Sequence, residues 1–329
     1  MNNIINLIGN TALIRLKKAS EITGCNIYGK AEFMNPGGSI KDRAALAIIN
    51  DAENKKILKK NGSIIEGTAG NTGIGLTLIA NAKGYKSIIV MPETQTKEKI
   101  DTLRSMGADL RLVPAKPYKD PNNYVKFSEN LAKEIYDKTN GNAIWANQFD
   151  NIANLYGHYT TTGKEIWDQT SGKIDAFICS SGTGGTIAGV GKALKERNKN
   201  IKICLADPKG SALYNFVKFN ELKMEGSSIT EGIGSSRITA NFKEASIDDA
   251  YSIDDNEAIN LIFDLIKNEG LNLGTSSGIN IAGAIKLGED LGPGKTIVTI
   301  LCDRADRYQS KLFNKDLLKE KKILFPDWL

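Results

Sequence analysis

From Lys41 onward, short apolar runs alternate with helical segments of about a dozen residues, and that rhythm confines the chain to α/β architectures. Ala44–Lys55 carries apolar residues at helical spacing, and Ser63–Glu66 reads as a short strand. Asn71–Lys83 is helical and stops at Gly84, a C-cap signal. Ser87–Met91 is a buried strand, Thr96–Met106 a helix ending at Gly107, and Leu110–Val113 a strand. After an irregular stretch from Pro114 to Asn123, the order becomes strand Ile144–Ala146, helix His158–Asp168 and strand Ile174–Cys179. Helix Gly185–Glu196 and strand Ile201–Ala206 follow. Residues 210–250 have weaker periodicity and several glycines, which predicts loops and a ligand-facing segment. Helices over Asp255–Lys267 and Ser277–Leu287 and a strand over Thr296–Leu301 finish the pattern. Uniformly apolar strands between helices make parallel sheets covered on both faces. Two α/β lobes with no linker leave a cleft between them, and open α/β sheets bind ligands at the carboxyl ends of their strands.

Composition removes several classes of function. The net charge of +5 over 329 residues is spread along the chain and leaves no electrostatic footprint for nucleic acid. No apolar run approaches the ~20 residues of a membrane span. Met1–Asn10 has neither the basic start nor the apolar core of a signal peptide, so a cytoplasmic protein is expected. Cys25, Cys179, Cys204 and Cys302 lie far apart, and the one histidine is His158, so no metal site is expected. The scattered cysteines read as small buried residues in a reducing compartment.

Three glycine-rich segments carry the chemistry. Ser181-Gly-Thr-Gly-Gly-Thr186 follows the strand ending at Cys179 and opens a helix, so its backbone N–H groups and Thr hydroxyls can face an anion. One reading is a dinucleotide site, with Asp207 ending the next strand where a ribose-binding acid sits. The spacing Gly182-x-Gly184-Gly185 lacks the third glycine of that fingerprint. The others are a single-phosphate cup for a smaller cofactor and a plain strand-to-helix turn. Glu66-Gly-Thr-Ala-Gly-Asn-Thr-Gly73 is a second such junction. Two anion cups point to a cofactor phosphate and a substrate carboxylate facing each other across a cleft. In Asn35-Pro-Gly-Gly-Ser-Ile-Lys-Asp-Arg43, Lys41 stands at a helix start, where the dipole repels cations. It is either a surface lysine or one that forms a Schiff base with a carbonyl cofactor. Gly288–Thr296 has P-loop-like glycines at the wrong spacing ahead of a strand, and reads as a helix-to-strand turn.

In this order, Asn35–Arg43, Thr68-Ala-Gly-Asn-Thr-Gly73 and Gly182-Thr-Gly-Gly-Thr186 resemble the cysteine synthase (O-acetylserine sulfhydrylase) family, β-family or fold type II pyridoxal phosphate enzymes. The resemblance runs from Ile8-Gly-Asn-Thr11 to Arg307-Tyr308. It implies two open twisted sheets flanked by helices, similar to tryptophan synthase β. It also implies a smaller mobile substrate-side domain at 43–150 and a larger cofactor-binding domain at 1–42 plus 151–329. The cofactor implied is pyridoxal 5'-phosphate, with Lys41 as its Schiff-base lysine and Asn71 on its ring hydroxyl. Gly182, Thr183, Gly184, Gly185 and Thr186 correspond to the phosphate cup, and Ser276, in Gly274-Thr-Ser-Ser-Gly278, to the serine facing the pyridine nitrogen. Thr68, Ala69, Gly70, Asn71, Thr72 and Gln148 match the substrate α-carboxylate site, and Gly232-Ile-Gly234 resembles the loop beside the substrate amine.

The resemblance implies β-replacement: O-acetyl-L-serine and sulfide give L-cysteine and acetate through an external aldimine and an α-aminoacrylate. A serine cannot hold the pyridine nitrogen protonated as a carboxylate would, which favours β-elimination over transamination. Lys41 is placed to take the α-proton, and closure of the lobes would exclude water. Three residues depart from the family pattern: Ala69 stands for a serine, Ala12 for a proline and Ala305 for a glycine near the cofactor ring. Cystathionine β-synthase and β-cyanoalanine synthase are the nearest alternatives. The chain leaves no room after Leu329 for a regulatory module, which favours the simple synthase. A threonine or serine dehydratase fits the lysine loop less well. A nicotinamide-dependent dehydrogenase would leave Lys41 and the Thr68–Gly73 loop without roles. An inactive homologue would not need Lys41, Asn71 and Ser276 intact. A homodimer is expected, with serine acetyltransferase a possible partner by resemblance.

Overall fold

The computed structural model of the protein describes residues 3–329, so Met1 and Asn2 of the stretch read for a leader lie outside the described residues. The strands in chain order are β1 (Leu13–Arg15), β2 (Asn26–Ala31), β3 (Ser63–Gly67), β4 (Lys86–Pro92), β5 (Asp109–Val113), β6 (Ala143–Trp145), β7 (Ala176–Cys179), β8 (Lys202–Pro208), β9 (Asp249–Ile253) and β10 (Thr296–Leu301). The helices are α1 (Lys17–Thr23), α2 (Lys41–Asn54), α3 (Asn71–Lys83), α4 (Lys97–Ser105), α5 (Tyr124–Lys138), α6 (Ala153–Thr160) and α7 (Thr162–Gln169). They continue with α8 (Gly185–Arg197), α9 (Leu213–Phe219), α10 (Ala240–Lys243), α11 (Asp255–Glu269), α12 (Thr275–Leu291), α13 (Gln309–Leu312) and α14 (Lys315–Glu320).

The strands form two open sheets. One has the order β1-β2-β10-β7-β8-β9 and the other β5-β4-β3-β6. Among the described residues, every pairing between these strands is parallel except β1 with β2 at one edge. Alternate side chains of a strand point to opposite faces, so a parallel strand between helices is apolar at every position. In β7, Ala176 and Ile178 enter the core under α11 and α12, while Phe177 and Cys179 enter the core under α7 and α8. β4 repeats the arrangement, with Ile88 and Val90 packed toward α5 and Ile89 and Met91 toward α3 and α4.

Helix boundaries follow local chemistry. α3 ends at Gly84 in the left-handed conformation, φ 77°, which only glycine adopts without cost. α5 is capped by Asn123, whose side chain accepts the Val125 N–H at 3.0 Å. The single helix expected over His158–Asp168 is two. α6 closes at Thr161, φ −116° and ψ −77°, and α7 leaves in a new direction. The run Thr160-Thr-Thr-Gly163 is a poor helix former, and Gly163 lets α7 approach α8 so closely that a Cβ would lie 2.5 Å from that of Ala193. The weakly periodic 210–250 stretch holds α9, α10 and β9 between its loops. The Gly288–Thr296 segment is a helix-to-strand turn, as its spacing predicts.

Candidate active site

The carboxyl ends of both sheets face one cavity of about 240 Å³. Lys41, Thr68, Ala69, Gly70, Asn71, Thr72, Gln148, Gly182, Thr183, Gly232 and Ser276 all line it. Gly184 and Thr186 line a smaller recess that shares Lys41, Gly182 and Thr183 with it. Gly185 lines neither; its place is steric, because a Cβ there would stand 2.3 Å from Asn154 Oδ1.

Lys41 is the first residue of α2, and the loop before it is fixed by its own backbone. Gly38 N–H donates to Asn35 O at 2.7 Å, and Gly37 N–H donates to Asp42 Oδ2 at 2.5 Å. Burial pushes the Asp42 carboxyl up to about 7. Behind this loop lies a buried ionic cluster. Arg43 donates to both Glu32 oxygens at 2.7 and 2.8 Å and to both Glu165 oxygens at 2.6 and 2.8 Å. Lys30 joins Glu165 at 2.6 Å.

The recess at the start of α8 fits a phosphate. Gly184 has φ +88°, and a Cβ on it would be 2.4 Å from Phe242 N; one on Gly182 would be 2.4 Å from Gly232 O. Ser181 Oγ is buried there with no partner among the described residues. Free N–H groups at the first turn of a helix of thirteen residues, together with an unpaired hydroxyl, suit an anion. Behind the recess, His158 is buried, with Nδ1 2.9 Å from Thr162 Oγ1 and Nε2 3.3 Å from Thr186 Oγ1. Burial first, then the Arg43 and Lys41 charges, lower it to about 3, so it stays neutral.

Opposite, the Thr68–Thr72 loop leads from β3 into α3. Gly70, at φ 138°, takes a conformation side chains rarely adopt, and its missing Cβ leaves room for the stem of Lys99. Thr72 Oγ1 donates to Gln148 Oε1 at 2.5 Å, and Gln148 Nε2 donates to Glu66 Oε1 at 3.0 Å. Burial raises the Glu66 carboxyl to about 8 against the hydrogen bonds from Gln148 and Asn147.

The sequence reading did not anticipate the polar groups that reach the site from far along the chain. Asn71 Nδ2 donates to Asp303 Oδ2 at 2.6 Å, and its Oδ1 accepts from Arg307. Tyr308 OH donates to Asp303 Oδ2 at 2.5 Å. Lys99 pairs with Glu231 at 2.5 Å, both line the cavity, and Lys311 pairs with the other Glu231 oxygen. With its amide turned so that nitrogen faces the two acceptors, Gln95 donates to Ala69 O at 3.1 Å and to Glu231 Oε2 at 3.2 Å. Of the three departures, Ala69 is on the cavity wall, Ala305 is in the core, and Ala12 is exposed. Asp207 does not line the cavity: it is buried and accepts the Tyr214 N–H at 2.7 Å, so the ribose-binding role weighed for it fails.

These arrangements agree with what the chain is similar to. A family model described as pyridoxal-phosphate dependent enzyme matches residues 4–303. Cysteine synthase 1 of Neurospora crassa is 50% identical over 96% of this chain and 84% of the relative. The crystal structure of an O-acetylserine dependent cystathionine beta-synthase from Helicobacter pylori superposes with a TM-score of 0.85 at 33% identity, covering 94% of this chain and 98% of that one. A hydrogen sulfide-producing enzyme from Fusobacterium nucleatum gives 0.83 at 34% identity, covering 94% and 99%. With a glycine cradle, a lysine at a helix start and matches of this extent, the chain belongs to the pyridoxal-phosphate dependent enzyme family and, within it, groups with proteins named cysteine synthase.

Proposed function

We propose that this enzyme makes L-cysteine and acetate from O-acetyl-L-serine and sulfide, at the cavity between its two sheets. The observation that carries the reading is convergence: Lys41, the glycine recess before α8 and the Thr68–Thr72 loop before α3 open into one space. Pyridoxal phosphate, when bound, supplies a carbonyl for amines and an electron sink for the substrate α-carbon. Gly182–Thr186 would hold its phosphate, Asn71 would meet its ring hydroxyl, and Ser276 would face its ring nitrogen.

The chain's own residues do the rest. Backbone N–H groups of Thr68–Thr72 at the start of α3, with Gln148, take the substrate carboxylate. Lys41 Nζ removes the proton from Cα as acetate leaves Cβ. Sulfide then adds at Cβ, and Lys41 returns the proton to Cα. The smaller unit, residues 43–150, closes on the larger, residues 1–42 plus 151–329, and excludes water. Hydrogen bonds join the two units: Thr96 Oγ1 donates to Arg307 O at 2.9 Å, and Ser310 N–H and Oγ donate to Glu98 at 2.8 and 2.9 Å.

The same proposal takes the enzyme as a homodimer in the cytoplasm, with serine acetyltransferase as a candidate partner. Four free cysteines fit a reducing compartment, and no helix among the described residues is long and apolar enough to cross a membrane. The name of the Helicobacter pylori neighbour makes homocysteine the competing nucleophile. The test is the visible absorption of the purified holoenzyme. A band that shifts with O-acetyl-L-serine and returns as sulfide yields cysteine is expected, and Lys41→Ala should abolish both. Full turnover by Lys41→Ala overturns the assignment. Return of the band with homocysteine but not with sulfide replaces the nucleophile.

A further inference from the structure

The Gln148 amide stands between two groups that decide what the carboxylate pocket can offer. Its Oε1 accepts from Thr72 Oγ1, and its Nε2 donates to Glu66. Glu66 also accepts the Gln148 backbone N–H at 3.4 Å and is 1% exposed. Thr72 and Gln148 line the cavity, whereas Glu66 lies behind them. Glu66 therefore reaches the cavity through Gln148.

In this arrangement the one hydroxyl proton of Thr72 is committed to Gln148, and Thr72 turns lone pairs toward the cavity. A substrate carboxylate, itself only an acceptor, finds a poor partner there. A proton on Glu66 reverses the chain of bonds. The carboxyl O–H then donates to Gln148 Oε1, the turned amide donates through Nε2 to Thr72 Oγ1, and the Thr72 hydroxyl proton faces the cavity. The amide turn needs little room, because its oxygen and nitrogen ends have nearly the same shape.

We propose that Glu66 is a proton-linked positioning residue: an α-carboxylate binds the form in which Glu66 carries a proton, drawn from solvent wherever Glu66 is ionised, and in that form Thr72 is switched from acceptor to donor. The inference rests on the amino-acid site proposed above and adds to it a coupled proton. No covalent bond changes.

The surroundings leave Glu66 free to titrate. The elements packed on β3 are β4, β6, α3 and α5. Across the sheet Glu66 pairs with Ile89 of β4. β6 and the first turn of α3 carry no charged residue. α5 brings Tyr124, which feels the Glu66 charge and, more weakly, that of Arg237. Among the described residues no cation compensates Glu66, and burial places its carboxyl near pH 8, where a proton is exchangeable.

The experiment measures L-alanine, an α-amino acid with no β-leaving group, binding to the holoenzyme from pH 6.5 to 9 through the cofactor absorption. Wild type is compared with Glu66→Gln, an isostere of the protonated carboxyl. Titration of the ligand amine and of the cofactor cancels in the ratio of the two Kd values. If only the protonated form binds well, that ratio is near one at pH 6.5 and rises to about tenfold at pH 9. Thr72→Ala cuts the relay and should lose the extra slope whether or not Glu66→Gln folds. A ratio that stays flat with binding intact, or a Thr72→Ala protein that keeps the slope, overturns the proton link and leaves the β-replacement reading standing. Failure of every variant to bind L-alanine removes the amino-acid site, and both readings fall.

Discussion

Arg43→Met tests the buried cluster that frames the start of α2. Five polar contacts leave this one guanidinium: two to Glu32, two to Glu165 and one to Thr11 Oγ1 at 3.2 Å. With Lys30, the cluster holds two cations and two carboxylates, almost entirely out of water. Removing the arginine leaves one carboxylate in excess inside the fold, a loss of about 3–5 kcal/mol for breaking a buried pair. For a chain of 329 residues, with an unfolding entropy of roughly 2.1 cal/mol/K per residue, that is a melting-temperature drop of about 4–7 °C. The deficit is pH-dependent. Burial works to raise the Glu165 carboxyl, but Arg43 and then Lys30 outweigh it and hold it near 2. A depressed carboxyl stabilises the fold above its unfolded value, near 4.3, and that contribution is lost as pH falls toward the folded value. The gap between wild type and Arg43→Met should therefore be full at pH 7 and narrow below about pH 4.3. Arg43→Met with Glu32→Gln restores charge balance and should recover at least half of the loss. Calorimetric melts of all three proteins decide it. A single-mutant loss under about 1 kcal/mol, or a double mutant no better than the single, refutes the reasoning.

Three further outcomes follow from the same structure. Gly184→Ala forces a side chain to φ +88° against Phe242 N and should cost about 1–3 kcal/mol and weaken cofactor retention at least tenfold, as read by cofactor titration of the apoprotein. Lys99→Met strands Glu231 with Lys311 alone, whereas Lys99→Met with Glu231→Gln should be much the milder change; a denaturant double-mutant cycle should return a coupling of about 2 kcal/mol or more. His158, lowered to about 3 by burial, binds its proton only when the chain unfolds, so stability falls as pH drops below about 6.5. Between pH 7 and 5 wild type should lose about 2 kcal/mol more than His158→Gln, and equal losses in chemical denaturation would contradict that.

The glycine punctuation made much of the fold legible. α3 begins and ends where Asn71 and Gly84 place it, and β10 spans Thr296–Leu301 as its apolar run predicts. α5 escaped notice because its start is marked only by Asn123 after an irregular stretch, and β9 because its polar positions dilute the apolar pattern. The threonine run that divides α6 from α7 is visible in sequence, but only contact with α8 turns weak propensity into a bend. The same division holds at the site. Lys41, Thr68–Thr72 and Gly182–Thr186 are continuous segments whose spacing carries their geometry. Asp303, Arg307 and Glu231 meet Asn71 and Lys99 across more than a hundred residues, and no local pattern announces such meetings. Glu66 was visible as part of a motif, yet its task depends on Gln148, eighty-two residues away.

The strand at the centre of the larger sheet comes from the end of the chain. β10 lies between β2 and β7 and bonds to both. On the ribosome, β3 to β6 emerge as one uninterrupted block and can pair as soon as they clear the exit tunnel. β2 and β7 must instead wait, with their facing edges unsatisfied, until Thr296–Leu301 has been made. A nascent chain arrested before that point would carry a complete small sheet beside a split large one. Its exposed strand edges would be a natural target for chaperones, and premature termination near residue 295 would release an aggregation-prone fragment rather than a shortened enzyme.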